Sequence, residues 1–189
     1  MSCSEQSAAE GGLRPWHAFF TFSLGALLGL AAALANTIYL GLGVALTPFP
    51  LAKKGLSVLT AAAVVLAPFV EEPTKVFSLV FLKEEEGLEA GLSEWAWLGL
   101  ASGLGFGLLE TVFYVARASA CSTSFALSVA AVRLLVAVPL HSLTTTVAGW
   151  GVGLWSLRGE AKSVTLCLAA AMCLHSVHNL IVVMASWAA

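Results

Sequence analysis

Apolar residues in this chain come in long blocks, with polar positions concentrated between the blocks and at a few points inside them. The first block runs from Trp16 to Leu46 and ends at a turn marked by Pro48 and Pro50. The second runs from Gly55 to Leu82 and is closed by the charged loop Lys83 to Glu89. The third spans Glu94 to Ala118, the fourth Phe125 to Leu157 and the fifth Ser163 to Trp187. A helix needs roughly 20 apolar residues to cross the hydrocarbon core of a bilayer, so each block is long enough to span it. The pattern predicts an all-α, polytopic helical membrane protein with about five transmembrane helices around a polar intramembrane cavity. Asn36 and Gly41 mark where the long first block could be interrupted. The domain expectation is a polar N-terminal tail over residues 1–15 and a single helical transmembrane domain over 16–189, with no internal repeat.

Composition strengthens this reading. Of 189 residues, 59% are hydrophobic and 11% are charged. Soluble domains carry about 25% charged residues, so this chain has too few to cover a surface in water. The net charge of −2 and the absence of a basic patch give no reason to expect a nucleic-acid partner; lipid is the expected surrounding. Cys3, Cys121, Cys167 and Cys173 are scattered and form neither a disulfide framework nor a CxxC pattern. The N-terminus is polar and acidic with no basic region before the first block, so no cleavable leader is expected. Basic residues near span ends divide almost evenly. Arg14, Lys83, Arg158 and Lys162 lie on one side and Lys53, Lys54 and Arg117 on the other, a narrow preference for a cytoplasmic N-terminus.

The candidate chemistry lies inside the blocks. Glu71, Glu72, Lys75, Glu110, Arg133, His141, His175, His178 and Asn179 all interrupt apolar sequence. A charge near mid-bilayer costs at least about 2.5–3.5 kcal/mol on insertion scales, so such residues are usually paired and functional. At a rise of about 1.5 Å per residue, Glu71 lies roughly 24 Å from the Gly55 end of its span, and Glu110 roughly 12 Å from Ala118. On the same scale His141 is roughly 24 Å and His175 roughly 18 Å from either end of its span. Four helices thus deliver ionisable groups to overlapping depths. Lys75 sits one turn from both Glu71 and Glu72 and can neutralise one of them. Pro73 removes a backbone donor and is expected to open or kink the helix there. Gly103, Gly105 and Gly107 suit close helix approach. Arg133 reads as a snorkelling or glutamate-pairing residue, and His178 as a packing residue. The Glu72–Lys75 pair also has a purely structural reading, as an ion pair that sets helix register.

Four segments carry a family resemblance: EEPTK at Glu71–Lys75, GLGFGLLETVFY at Gly103–Tyr114, RLLVAVPLHSLTTTVAGWGVG at Arg133–Gly153, and HSVHN at His175–Asn179. In this order they resemble the PrsW family of intramembrane proteases, within a wider group that includes the CAAX-processing Rce-type proteases and the APH-1 subunit of gamma-secretase. The resemblance covers the second to fifth spans; the first is only generically apolar. The CAAX-processing relatives usually carry a histidine where Glu110 stands and an arginine in place of Lys75, which favours the PrsW branch.

The resemblance implies peptide-bond hydrolysis of transmembrane or membrane-anchored protein substrates, in a multi-pass protein of a prokaryotic cell membrane. It assigns Glu71 or Glu72 to water activation. Glu110, His141 and His175 would bind a metal or polarise the scissile carbonyl, and Asn179 would orient a histidine or stabilise the oxyanion. Two histidines and a carboxylate suit Zn2+ with an open fourth position, but HExxH is absent. A metal-free site with a glutamate base is equally consistent. The alternative is a non-catalytic scaffold or partner-binding subunit, as in the APH-1 branch. A proton-coupled transporter is a third reading, weakened by the absence of inverted repeats.

Overall fold

A computed structural model describes the backbone over residues 12–45 and 52–188, and side chains over 12–35, 38 and 65–185. The N-terminal tail and the Pro48/Pro50 turn lie outside the described residues. Five long helical segments follow one another: α1 (Pro15–Ala45), α2 (Ala52–Glu84), α3 (Leu92–Ser119), a composite fourth, and α6 (Lys162–Ala188). The composite joins α4 (Thr123–Val132), a π turn (Arg133–Ala137) and α5 (Val138–Arg158) without a break. The described residues outside these helices are in short loops and turns.

Four stretches are long and apolar enough to cross a membrane on composition alone: Pro15–Ala35, Leu92–Ser119, Thr123–Arg158 and Lys162–Ala185. Helix α2 has the length, at 33 residues, but carries Glu71, Glu72 and Lys75 in its middle. It packs against α1, α3, α5 and α6, and those three side chains are buried at 3%, 0% and 0% exposure. The fold is that of a polytopic helical membrane protein. Its outside and inside are inverted relative to a soluble domain. Phe19, Trp97, Leu127, Leu135 and Leu166 are exposed, while Glu72, Lys75, Ser102, Thr144 and Thr145 are fully buried. In water such a distribution would be unstable; in lipid it is what the solvent selects.

Two expected interruptions are not breaks. Helix α1 continues through Asn36 and Gly41 to Ala45, and α2 continues through Pro68 and Pro73 to Glu84. In each case neighbouring turns keep their ladder bonds, so the local defect does not terminate a long helix. The fourth span is irregular where the sequence suggested a plain helix. Pro139 explains the π turn physically: its ring clashes with the carbonyl four residues back and it has no N–H to donate. Widening the preceding turn relieves both problems, and the Val138 N–H bonds the Arg133 carbonyl across five residues.

Helix α3 is the axis of the bundle, with its broadest contacts on α5 and α1. Its glycines make this possible. A Cβ at Gly99 or Gly103 would collide with the carbonyls of Thr145 and His141 on α5, and one at Gly105 with the Phe22 carbonyl on α1. Glycines one turn apart (Gly99, Gly103 and Gly107) therefore form the seat for α5. On one side of the polar residues lies a sealed apolar cluster of Val76, Leu79, Leu82, Leu88, Ala90, Trp95, Leu98, Ala148 and Val152. It packs Leu88 and Ala90 of the loop over residues 85–91 with side chains of α2, α3 and α5.

Because the Gly103 seat sets the position of the His141 backbone, Gly103→Leu should force α3 and α5 apart. The expected cost is about 1–3 kcal/mol, in the range for overpacking. Thermal unfolding of the purified protein in detergent would read it. An unchanged transition midpoint would show that the α3–α5 approach is not tight.

Candidate active site

Helix α2 brings three ionisable groups to the centre of the bundle. Glu72 and Lys75, three residues apart, face the same way, and the Lys75 Nζ donates to Glu72 Oε1 at 2.5 Å. Of the two glutamates that Lys75 could reach, it neutralises Glu72. The Lys75 ammonium also lies 3.1 Å from His141 Nδ1 on α5 and 4.9 Å from the centre of the Phe106 ring on α3. Glu72 Oε1 is a node. It receives His175 Nδ1 at 2.6 Å from α6 and the Thr144 hydroxyl at 3.3 Å from α5. Its other oxygen, Oε2, is buried without a hydrogen-bond partner.

His175 reaches both adjacent carboxylates. While Nδ1 is held by Glu72, Nε2 lies 3.8 Å from Glu71 Oε2. His141 is held on both sides: Nε2 lies 2.9 Å from Glu110 Oε2, and Nδ1 faces Lys75. The two imidazoles meet edge to face with centroids 4.8 Å apart. Glu110 is further bound by the Arg133 guanidinium at 2.5 Å. By formal charge, three carboxylates face two basic side chains in this cluster, leaving one negative charge when the histidines are neutral.

Glu71, His141 and His175 each present one ligand atom within 4.8 Å of one another, and all three are buried. Of the metal candidates expected from the sequence, His141 and His175 thus belong to the converging set. Its third member is Glu71 and not Glu110, whose carboxylate is engaged by His141 and Arg133. Two imidazoles and a carboxylate form a zinc-type donor set, and Glu72, whose Oε1 holds His175 Nδ1, keeps its buried Oε2 without a hydrogen-bond partner. Both imidazoles have a carboxylate on one nitrogen, Glu72 for His175 and Glu110 for His141, the usual outer support of metal-binding histidines. The residues present therefore fit a metal ion.

The remaining candidates sit at the margin. Asn179 is half-buried one turn beyond His175 on α6, and His178 is likewise half-buried. Residues not singled out from the sequence also join the network. The single Thr144 hydroxyl lies within donating distance of Glu72 Oε1 and of the His141 carbonyl, while Ser102 donates to the Lys75 carbonyl at 2.8 Å. A small hydroxyl residue one turn from a buried histidine, as Thr144 is from His141, was the available signal.

The fold and cluster together define a helical membrane protein with a buried glutamate–histidine centre competent to hold a metal. The family model described as PrsW family intramembrane metalloprotease matches residues 14–189, and the chain belongs to that family. Membership makes it a peptidase of the intramembrane type. No match was found among curated proteins or solved structures.

Lys75→Met removes one partner of a fully buried ion pair and strands Glu72. Breaking such a pair costs about 3–5 kcal/mol. Denaturant unfolding in micelles should show a loss of that order, whereas a change below about 1 kcal/mol, typical of a surface pair, would mean the pair is hydrated.

Proposed function

We propose that this protein hydrolyses peptide bonds of membrane-anchored protein substrates at the Glu71–Glu72–His141–His175 cluster, in the cell membrane of a prokaryote. The observation that carries the reading is the convergence of Glu71, His141 and His175 within 4.8 Å, beside the unpartnered Glu72 Oε2. Glu71, His141 and His175 would hold the ion, with Zn2+ the best match to the donor set. When bound, such an ion supplies Lewis acidity toward a carbonyl and makes water a better nucleophile.

The chain's own residues do the rest. Glu72, with Oε2 free of a hydrogen-bond partner, would take the proton of the attacking water and later return one to the leaving amine. Its Oε1 meanwhile keeps His175 oriented through Nδ1. Lys75, at 2.5 Å from Glu72, balances the carboxylate between these transfers. Asn179, a turn from His175, would stabilise the developing oxyanion or orient the imidazole. The apolar cluster around Leu79, Leu82, Trp95 and Val152 excludes bulk water from the 85–91 side. That limits water at the centre and strengthens each polar contact there.

One observation favours a second, non-catalytic reading. Lys75 lies between Glu72 and His141, so the cluster is already substantially paired within itself, as a scaffold's would be.

Cleavage of a panel of single-span substrates in proteoliposomes separates the two. Glu72→Gln should lower the rate by about 10²–10⁴-fold, the range for removing a general base, with the helical content unchanged. Glu71→Gln and His175→Ala should also abolish cleavage, and a chelator should inhibit the wild type. His178→Ala should stay within a few-fold of wild type, as expected for a residue outside the converging set. A folded wild type that cleaves nothing, or full activity in Glu72→Gln, would overturn the protease assignment at this cluster.

A further inference from the structure

Arg133 and His141 lie eight positions apart on one continuous helical span. In a regular α-helix, at about 100° per residue, they would point about 80° apart. The two side chains would then leave the helix on different faces. The π turn at Arg133–Ala137 adds one residue between them. The effective separation becomes seven positions, or about two turns, and both side chains come to within about 20° of one face. Both then close on the same atom, Glu110 Oε2: the guanidinium at 2.5 Å and His141 Nε2 at 2.9 Å.

Arg133 is itself constrained on every side described. Its Nε donates to Thr111 Oγ1 at 3.3 Å, and its Cζ sits 3.9 Å from the Tyr114 ring centre. Thr111 in turn donates to the Gly107 carbonyl at 2.7 Å, tying this assembly to α3. Snorkelling would leave the guanidinium mobile at an interface. Here its side chain is 14% exposed and that of Glu110 10%. Such enclosure is unnecessary for solubility in lipid. The guanidinium is enclosed together with the carboxylate it binds.

We propose that Arg133 is a positioning residue, brought into register by the π turn, which pins Glu110 onto His141 Nε2. The pinned carboxylate fixes His141 as the Nε2–H tautomer and directs its Nδ1 lone pair toward the centre of the cluster, where Lys75 lies 3.1 Å away. This rests on the reading of the cluster as the proteolytic site. The π turn is therefore a functional irregularity that aligns two residues which a regular helix would separate.

The test uses the full-length protein in nanodiscs, comparing Arg133→Gln, Arg133→Lys and a variant that deletes Leu135 together with Pro139→Ala. Imidazole 15N NMR reports the His141 tautomer, assigned against His141→Gln; only 4 histidines are present. Substrate cleavage reports kcat and KM separately. In Arg133→Gln we expect the single Nε2–H signature of His141 to be replaced by a tautomer mixture. We also expect kcat to fall about 10–100-fold, the usual effect of losing a histidine's outer support, with KM little changed. Arg133→Lys should restore the signature and part of kcat. The deletion variant closes the turn into α-helix but leaves Arg133 and His141 two turns apart on one face. It should therefore keep both the signature and the activity, and it remains informative if Arg133→Gln does not fold. An unaltered His141 spectrum and wild-type kcat in Arg133→Gln would overturn the proposal, as would loss of the signature in a folded deletion variant. If the wild type cleaves nothing, the protease reading fails, and the spectra alone still decide the role of Arg133.

Discussion

A charge inside a lipid-exposed bundle cannot turn to water, so its partners have to come from the protein itself. Glu72 carries most of that burden. One of its oxygens receives Lys75 from its own helix, His175 from α6 and Thr144 from α5. Three helices are thereby tied to one atom. The isolated cost of an unpaired buried ion is several kcal/mol, larger than any single packing contact nearby. The relative placement of α2, α5 and α6 therefore follows from where their polar groups must meet, and the lipid-facing surfaces are free to vary.

The rest of the architecture makes that meeting possible. Ionisable side chains can converge only if backbones approach closely, and the glycine row on α3 supplies the room. The His141 carbonyl lies against Gly103, so the residue that shapes the seat also places a site histidine. Phe106, on the same helix, puts its ring beside both His141 and Lys75. The apolar cluster around Trp95 closes the bundle on the loop side. Charge pairing, close packing and water exclusion are here three consequences of one arrangement.

Much of this was legible in the sequence. Lipid imposes long uniform apolar runs, so the helices and their order could be read directly, with ends close to those observed. The exceptions inside those runs pointed to a polar interior because lipid makes each one costly, although His178 and Asn179 lie at its margin. Local spacing also placed Lys75 against a glutamate of its own helix. Family membership had a visible carrier in the four motifs from EEPTK to HSVHN.

What only the tertiary structure decided concerns groups on different helices, or on one helix that is not regular. The sequence offered Glu110 as the carboxylate of a set with His141 and His175. In the bundle Glu110 is held by His141 and Arg133, and Glu71 joins the converging set. The rotation of a helix about its axis depends on how its neighbours pack, and the sequence does not record it. The π turn hid the link between Arg133 and His141, because a period of 3.6 residues separates what one added residue aligns. Hydropathy and helical periodicity are properties of one segment in its solvent, so the sequence by itself determined the spans and their polar contents. The partner of each buried charge is a distance between segments, and only the packed bundle could decide it.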